Sequence, residues 1–368
     1  MRFRAMAPGD CMPPAAFLET DGAVVTSNAL GGSYLMICFI GTGLSDQAMQ
    51  MVQDTVARLA ARANLLLVWP GPPRPVRKGP RSVFDPERQA AMRFGAARLD
   101  APPDAPCPSC LALFDPMSRL ITARHLLRDT DMDQALATLD ALPLPDLCTG
   151  RPVQAPVLYL PNVFSPELCA RLVSGYHAAH RDLTGVMRHR DGQTIGVQDP
   201  GFKRRRDYLI SDQALISQIQ ARIRRAVLPE LKKAFSFTAT RMERYLVGCY
   251  SAEDSGHFAP HRDNTTPATA HRRFAVSINL NDDFEGGAVS FPEYSSDGFR
   301  APAGAAVVFG CGLMHTVAPV TKGARFAFLP FLYDEAAARL RQPHHSTPAP
   351  QKKAAPAKGA ACSMPSLP

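Results

Sequence analysis

Between residues 244 and 329 the chain is written as short apolar runs of period two, separated by residues that favour turns. The runs cover 244–250, 274–280, 305–309 and 326–329, with Asn281-Asp282-Asp283, Gly286-Gly287 and Gly304 between them. In an extended segment successive side chains point to opposite faces, so such runs make strands with one face in a core. Short strands joined by Gly, Asn and Asp turns close into a small β-barrel or a double-sheet roll, and few other folds accommodate them.

Inside this region stands His261-Arg262-Asp263, then His315 and, ten residues further on, Arg325. A lone His-x-Asp recurs by chance and means little; its place in this order of strands gives it weight. Residues i and i+2 of an extended segment share a face, so His261 and Asp263 can look at one point while Arg262 looks away. His315 has to come from another strand, because a third group on the same strand would lie too far along it. Two imidazoles and one carboxylate hold Fe(II) on one face of an octahedron and leave positions open. The planar fork of Arg325 suits a carboxylate better than a lysine would. By alternation Ser277 and Asn279 share the face opposite Phe274, Val276, Ile278 and Leu280, which makes one side of that strand polar.

At these residues the chain resembles the Fe(II)/2-oxoglutarate-dependent dioxygenases of the prolyl 4-hydroxylase-like type. The ordered landmarks are Tyr250, His261-x-Asp263-Asn264, Leu280-Asn281-Asp282, Glu285-Gly286-Gly287, Phe291-Pro292, His315, Pro319 to Gly323 and Arg325. The resemblance implies a double-stranded β-helix (jelly-roll) with supporting helices over 156–336, its core at 238–335. It further implies that His261, Asp263 and His315 are catalytic metal ligands for Fe(II), that Arg325 binds the far carboxylate of 2-oxoglutarate, and that Tyr250 lines the co-substrate pocket. Many relatives carry Tyr where this chain has Asn279, so Asn279 is taken as the co-substrate contact there. The implied reaction consumes O2 and 2-oxoglutarate, releases succinate and CO2, and hydroxylates a carbon centre such as a prolyl or other side chain of a protein, or a small molecule. Ascorbate is a further cofactor that the resemblance brings with it. Asn264 and Thr316 are the side chains expected to orient the imidazoles.

The first part of the chain follows a different pattern. Pro8-Gly9-Asp10 opens an extended segment with Asp21-Gly22 as a hairpin turn, 34–40 is a buried strand, 44–63 a helix, 65–69 a second buried strand, 111–116 the start of a hairpin and 132–142 a last helix. That order resembles a thioredoxin-like α/β domain of the peroxiredoxin branch over 8–141. A peroxiredoxin would place its reactive cysteine at the helix start, where the helix N-terminus lowers a thiol pKa; Gly43, Leu44, Ser45 and Asp46 stand there instead. Cys38 reads as core filling. Cys107-Pro108-Ser109-Cys110 is a C-x-x-C that precedes a strand rather than opening a helix, with no second pair at zinc spacing. The domain is expected to serve docking, homodimerisation or substrate presentation.

A two-domain protein of 368 residues is thus expected, with a proline-rich linker at 142–155 and a disordered basic tail at 342–368. Ser165-Pro166-Glu167 starts a helix running to about 180, and 212–233 reads as one helix backing the barrel, with Leu215, Ile216, Ile219, Ile223 and Val227 at helical spacing. No apolar run approaches membrane-spanning length, and the nine cysteines follow no disulfide framework; the expected address is the cytoplasm, with no membrane partner. The net charge is +8, and the basic clusters at 203–206 and 222–225 are read as solvated faces, with no nucleic-acid motif beside them, or as charge that steers an acidic protein or attracts the 2-oxoglutarate dianion. Two competing functions are a redox-linked binding or scaffold protein with a non-turnover metal barrel, and a thiol peroxidase or reductase acting through Cys107 and Cys110.

Overall fold

The structure, a computed structural model, describes residues 6–41, 63–71, 81–100, 104–126, 129–179, 181–190 and 193–340, with Arg4 and Pro102. Of the expected helix at 44–63 only Ala63 is described, and it begins a strand instead; the rest of that helix, Gly43 and the tail from 342 lie outside the described residues.

The alternating runs of the second half form two antiparallel sheets that face each other. In the larger one, Phe274–Asn279 lies between Phe331–Tyr333 and Ala324–Phe328, and the latter pairs in turn with Leu246–Ser251. Ala306–Gly310 also pairs with Phe274–Asn279, and Val157–Leu160 closes that side. The smaller sheet runs Lys203–Arg204, His257–His261, His315–Val317, Val289–Phe291, Ser295–Phe299. Tyr250, Ala275, Val307, Phe309, Val289, Phe291 and Val317 meet in one buried cluster between the sheets. Alternation sends Val276, Ile278, Phe326 and Phe328 the other way, into a second core under the helices.

Those helices are capped as their sequences demand. Ser165 accepts from the Leu168 amide at the head of Pro166–Ala178, and Asp212 accepts from the amides of Ala214 and Leu215 at the head of Gln213–Ala226. The expected single helix over 212–233 is two: Gln213–Ala226 ends at Val227, and Leu228–Phe235 begins afresh with Pro229 in its first turn. Pro229 has no N–H to donate, and its ring collides with the carbonyl four residues back, so the ladder cannot run through it. Leu215, Ile219 and Ile223 nevertheless keep one buried stripe against the sheet, as their spacing predicts.

The first part builds a seven-stranded mixed sheet in the order Val24–Thr26, Ala16–Leu18, Arg81–Phe84, Ala63–Trp69, Tyr34–Phe39, Ser109–Phe114, Leu120–Leu126. The Asp21-Gly22 hairpin, both buried strands, the second hairpin and a last helix at Asp129–Asp140 match the expected order. Arg81–Phe84, parallel to Ala63–Trp69, and the short helix Gln89–Arg93 were not legible in the sequence. In the expected linker a 3-10 turn at Pro145–Leu147 brings Asp146 to accept from the Ser296 amide at 2.9 Å. Among the described residues no helix is long and apolar enough to cross a membrane.

Ile219, fully buried between helix and sheet, sets a stability test: Ile219→Ala is expected to cost ~2–5 kcal/mol in urea unfolding, and a loss below ~1 kcal/mol would contradict this packing.

Candidate metal and co-substrate site

His261 ends one strand of the small sheet and His315 begins the next, and the two are register partners. Cross-strand neighbours point to the same face, so both imidazoles enter the space between the sheets. Each ring is oriented by the backbone: His261 Nδ1 lies 2.8 Å from the Ala259 carbonyl and His315 Nδ1 3.1 Å from the Leu313 carbonyl. A carbonyl can only accept, so both Nδ1 atoms are donors and the two Nε2 atoms are the ones turned toward the carboxylate. Those nitrogens point at one carboxylate, His261 Nε2 at 3.6 Å from Asp263 Oδ1 and His315 Nε2 at 3.3 Å from Asp263 Oδ2. The expected orienting roles of Asn264 and Thr316 are not what the structure has; the Thr316 hydroxyl bonds to the Phe258 carbonyl.

The electrostatics suit a cation. Burial, reinforced by His315, pulls His261 down to about 4, which keeps it neutral and able to ligate. Burial alone would raise Asp263, but the two imidazoles overcome it and hold the carboxyl well below its usual range. One ligand atom from each of His261, Asp263 and His315 lies within 4.8 Å of the others. Two imidazoles and a carboxylate that converge from two strands are the donor set of a non-haem ferrous centre. Phe258 stacks on the His261 ring at 3.5 Å between centroids, and Phe309 lies 4.6 Å from His315.

Across the cavity, Tyr250 and Arg325 are register partners on the large sheet. Arg325 is 2% exposed. Its Nε donates to Asn279 Oδ1 at 2.9 Å and its Nη2 to the Ser277 hydroxyl at 2.8 Å, while its Nη1 has no hydrogen-bond partner. Among the described residues no carboxylate pairs with it, and burial lowers its pKa. A buried guanidinium with an unused donor is costly, and a bound anion would relieve that cost. Gly287 makes room for it, since a Cβ there would stand 3.1 Å from Arg325 Cδ.

The polar face of Ser277 and Asn279 is where alternation puts it, but Asn279 works indirectly. Its oxygen holds Arg325 and its amide nitrogen donates to the Ala301 carbonyl at 2.6 Å, so both polar ends are used and it is not among the cavity-lining residues. Tyr250, 2% exposed, does line the cavity, its hydroxyl 3.4 Å from Arg205 Nη1.

Arg205 and Arg244, which also line the cavity, were missed. The basic run at 203–206 was read as a solvated face, and that holds only for alternate residues. Lys203 and Arg205 are 4% and 6% exposed, whereas Arg206 is exposed and pairs with Asp254. The signal was available in Arg205-x-Asp207, since an i, i+2 ion pair on a strand is directed to one side. Arg222 likewise bonds the Val163 and Asn162 carbonyls instead of standing free in solvent.

Arg262 looks away from the triad, as its spacing predicts, and is anchored there. It donates to both Glu293 oxygens at 2.8 and 2.7 Å, to the Gly312 carbonyl at 2.5 Å, and to the Asn28 carbonyl of the first part at 2.6 Å. Glu293 accepts in addition from the Met314 amide at 3.0 Å. The clamp therefore ties the segment between His261 and Asp263 to the backbone just before His315, and it reaches the N-terminal part at Asn28. In that region Cys110 is buried in its strand, and burial followed by Cys107 pushes its thiol up to about 12; Cys38, also buried, is raised to the same level. Neither thiol is activated.

Residues 245–333 match the 2OG-Fe(II) oxygenase superfamily. This segment is a 2OG-Fe(II) oxygenase domain. Enzymes of that superfamily use Fe(II), 2-oxoglutarate and O2. The chain is 33% identical over 121 residues to the PKHD-type hydroxylase azo0608 of Azoarcus sp. (strain BH72), covering 30% of this chain and 53% of that protein. It thus spans about half the length of this curated relative. Among solved structures it is similar to a Trichoplax adhaerens prolyl hydroxylase bound to a hypoxia inducible factor peptide fragment, at TM-score 0.43 and 14% identity over 59% of this chain and 99% of that one. A thiol peroxidase from Chromobacterium violaceum is similar at TM-score 0.33 and 12% identity, over 38% of this chain and 88% of that one.

The Arg262 clamp carries its own test on the oxygenase domain. Arg262→Ala is expected to weaken Fe(II) binding by roughly tenfold, as loss of a partner behind the ligands does elsewhere, measured by competition with a ferrous chelator. Unchanged affinity would show that the clamp does not govern the ligand geometry.

Proposed function

We propose that this protein is an Fe(II)- and 2-oxoglutarate-dependent hydroxylase acting on a carbon centre, a prolyl or other side chain of a protein among its substrates, with release of succinate and CO2. The observation that carries this reading is the pairing of two groups across one cavity: a triad of two imidazoles and a carboxylate, and the buried Arg325 with an unused Nη1. Fe(II), when bound, supplies the activation of O2.

His261, Asp263 and His315 would hold that ion, and the backbone carbonyls behind the two rings fix their tautomers before it arrives. Arg325 would bind the distal carboxylate of 2-oxoglutarate, its fork aimed by Ser277 and Asn279. Asn279 is thereby a positioning residue, and Tyr250 a wall of the pocket. Phe258, Val289, Phe309 and Val317 exclude water around the metal side, which strengthens every charge interaction inside. We further assign the jelly-roll to 156–336 and a thioredoxin-like unit to 8–141, joined by 142–155, with the first unit buttressing the metal loop through Asn28 and not acting by thiol chemistry. A cytoplasmic address, ascorbate use and homodimer formation belong to the same reading.

Asp263→Ala is expected to lose iron retention and succinate formation together; turnover at the wild-type rate would refute the ligand assignment. Arg325→Ala is expected to keep iron while raising the 2-oxoglutarate KM by ~10–100-fold, since a hydrogen bond to a charged group is worth ~1.5–3 kcal/mol. Replacement of Cys107 and Cys110 together by Ser is expected to leave 2-oxoglutarate turnover unchanged. A loss of turnover in that variant with the fold intact would give the thiols a function after all.

A further inference from the structure

The triad and Arg325 do not use up the charge in this cavity. Arg205, Arg244, Arg272 and Arg325 stand in and around it against Asp207, Glu243 and Asp263, a surplus of one positive charge. On the proposed function, on which this inference rests, a ferrous ion and the 2-oxoglutarate dianion cancel each other. The surplus remains, in a space where low dielectric makes uncompensated charge costly.

Its location is specific. Asp207 takes Arg205 in a bidentate pair at 2.6 and 2.7 Å, and all three side chains of that pair and of Tyr250 are buried. Arg205 Nη1 is left with only the 3.4 Å contact to the Tyr250 hydroxyl. Arg244 is less satisfied still. Its one polar contact among the described residues is 3.5 Å from Asp207 Oδ2, an oxygen already taken by Arg205, and no hydrogen bond is made by its guanidinium. Its side chain is about one-third exposed, at 32%, which puts it where the cavity meets solvent. The backbone holds it there at a price in conformation, with φ at +66° in the left-handed region that a long side chain rarely adopts. Gly248 supports the arrangement, because a Cβ there would stand 2.9 Å from Arg205 Cδ.

We propose that Arg205 and Arg244 form a second anion-binding site in the cavity, distinct from Arg325, that takes a carboxylate of the primary substrate. Two guanidiniums on one aspartate keep N–H donors that Asp207 does not take, Nη1 of Arg205 and the fork of Arg244, and guanidinium donors suit the oxygens of a carboxylate or phosphate. The site lies in the same cavity as the triad, so a group held there would leave an adjoining carbon of the same molecule near the metal. An acidic substrate is therefore the class this pocket selects, and a neutral one would leave Arg244 buried by it without a partner.

The test reads the arginines directly. Full-length protein loaded with redox-inert Zn(II) and saturated with 2-oxoglutarate is titrated with acetate, with inorganic phosphate and with neutral acetamide, while the assigned arginine side-chain Nε–H resonances are followed by NMR. Acetate and phosphate are expected to shift Arg244 and Arg205 saturably, acetamide is expected to shift neither, and Arg244→Gln is expected to weaken the acetate response at Arg205 by about tenfold. Absence of a saturable response at Arg244 to both anions, or an equal response to acetamide, would overturn the proposal. The 2-oxoglutarate step separates the two readings: failure of 2-oxoglutarate to move Arg325, with acetate still moving Arg244, removes the co-substrate assignment and keeps the anion site. A primary substrate that proves to have no anionic group overturns the substrate class.

Discussion

A strand has only two faces, and the space between two facing sheets receives every second side chain of each strand that borders it. That constraint places the whole site. It brings His261 and His315 in as one cross-strand pair and Tyr250 and Arg325 as another, on opposite walls of the same cavity. It also sends Val276, Ile278, Phe326 and Phe328 outward under the helices, so the residues that shape the cavity and those that stabilise the sheet are interleaved along the same strands. A one-residue slip in either pairing would carry the ligands out and bring the core residues in.

The second theme is charge taken out of water and left incompletely paired. Asp207 is matched to Arg205, and Glu243 to Arg272, with geometry close enough to offset part of the cost of desolvation. Arg325 and Arg244 have no such match among the described residues. Native proteins seldom leave a buried donor unused, and Nη1 of Arg325 is such a donor, while Arg244 stands one-third exposed with only a long contact to Asp207. Apolar walls at Phe258, Phe309 and Val317 make the same point from the other side, because they raise the value of each anionic contact.

Much of this was legible in the sequence. Period-two runs and turn residues marked the strands, the i, i+2 rule put His261 and Asp263 together and Arg262 apart, and alternation found the polar pair that holds Arg325. What failed had local physical causes. Pro229 broke a helix whose apolar stripe looked continuous, and the stripe survived the break. The basic run at 203–206 hid its alternation behind its composition, so Lys203 and Arg205 were taken for surface. Asn279 stands on the expected face, with both polar ends taken by Arg325 and the Ala301 carbonyl. The imidazole partners are backbone carbonyls, which no choice of side chain announces, and Arg262 reaches Asn28 across 234 positions, a contact that only the tertiary fold creates.

Everything functional rests on His261, Asp263 and His315 meeting at one ion. Iron X-ray absorption on the anaerobic Fe(II)-loaded protein examines that directly, because imidazole rings leave a multiple-scattering pattern that oxygen ligands do not. Two imidazoles and oxygen donors are expected around the iron, falling to one imidazole in His315→Ala. A shell of oxygen alone, or an imidazole signal unchanged by that substitution, would contradict the convergence of these three side chains on the metal.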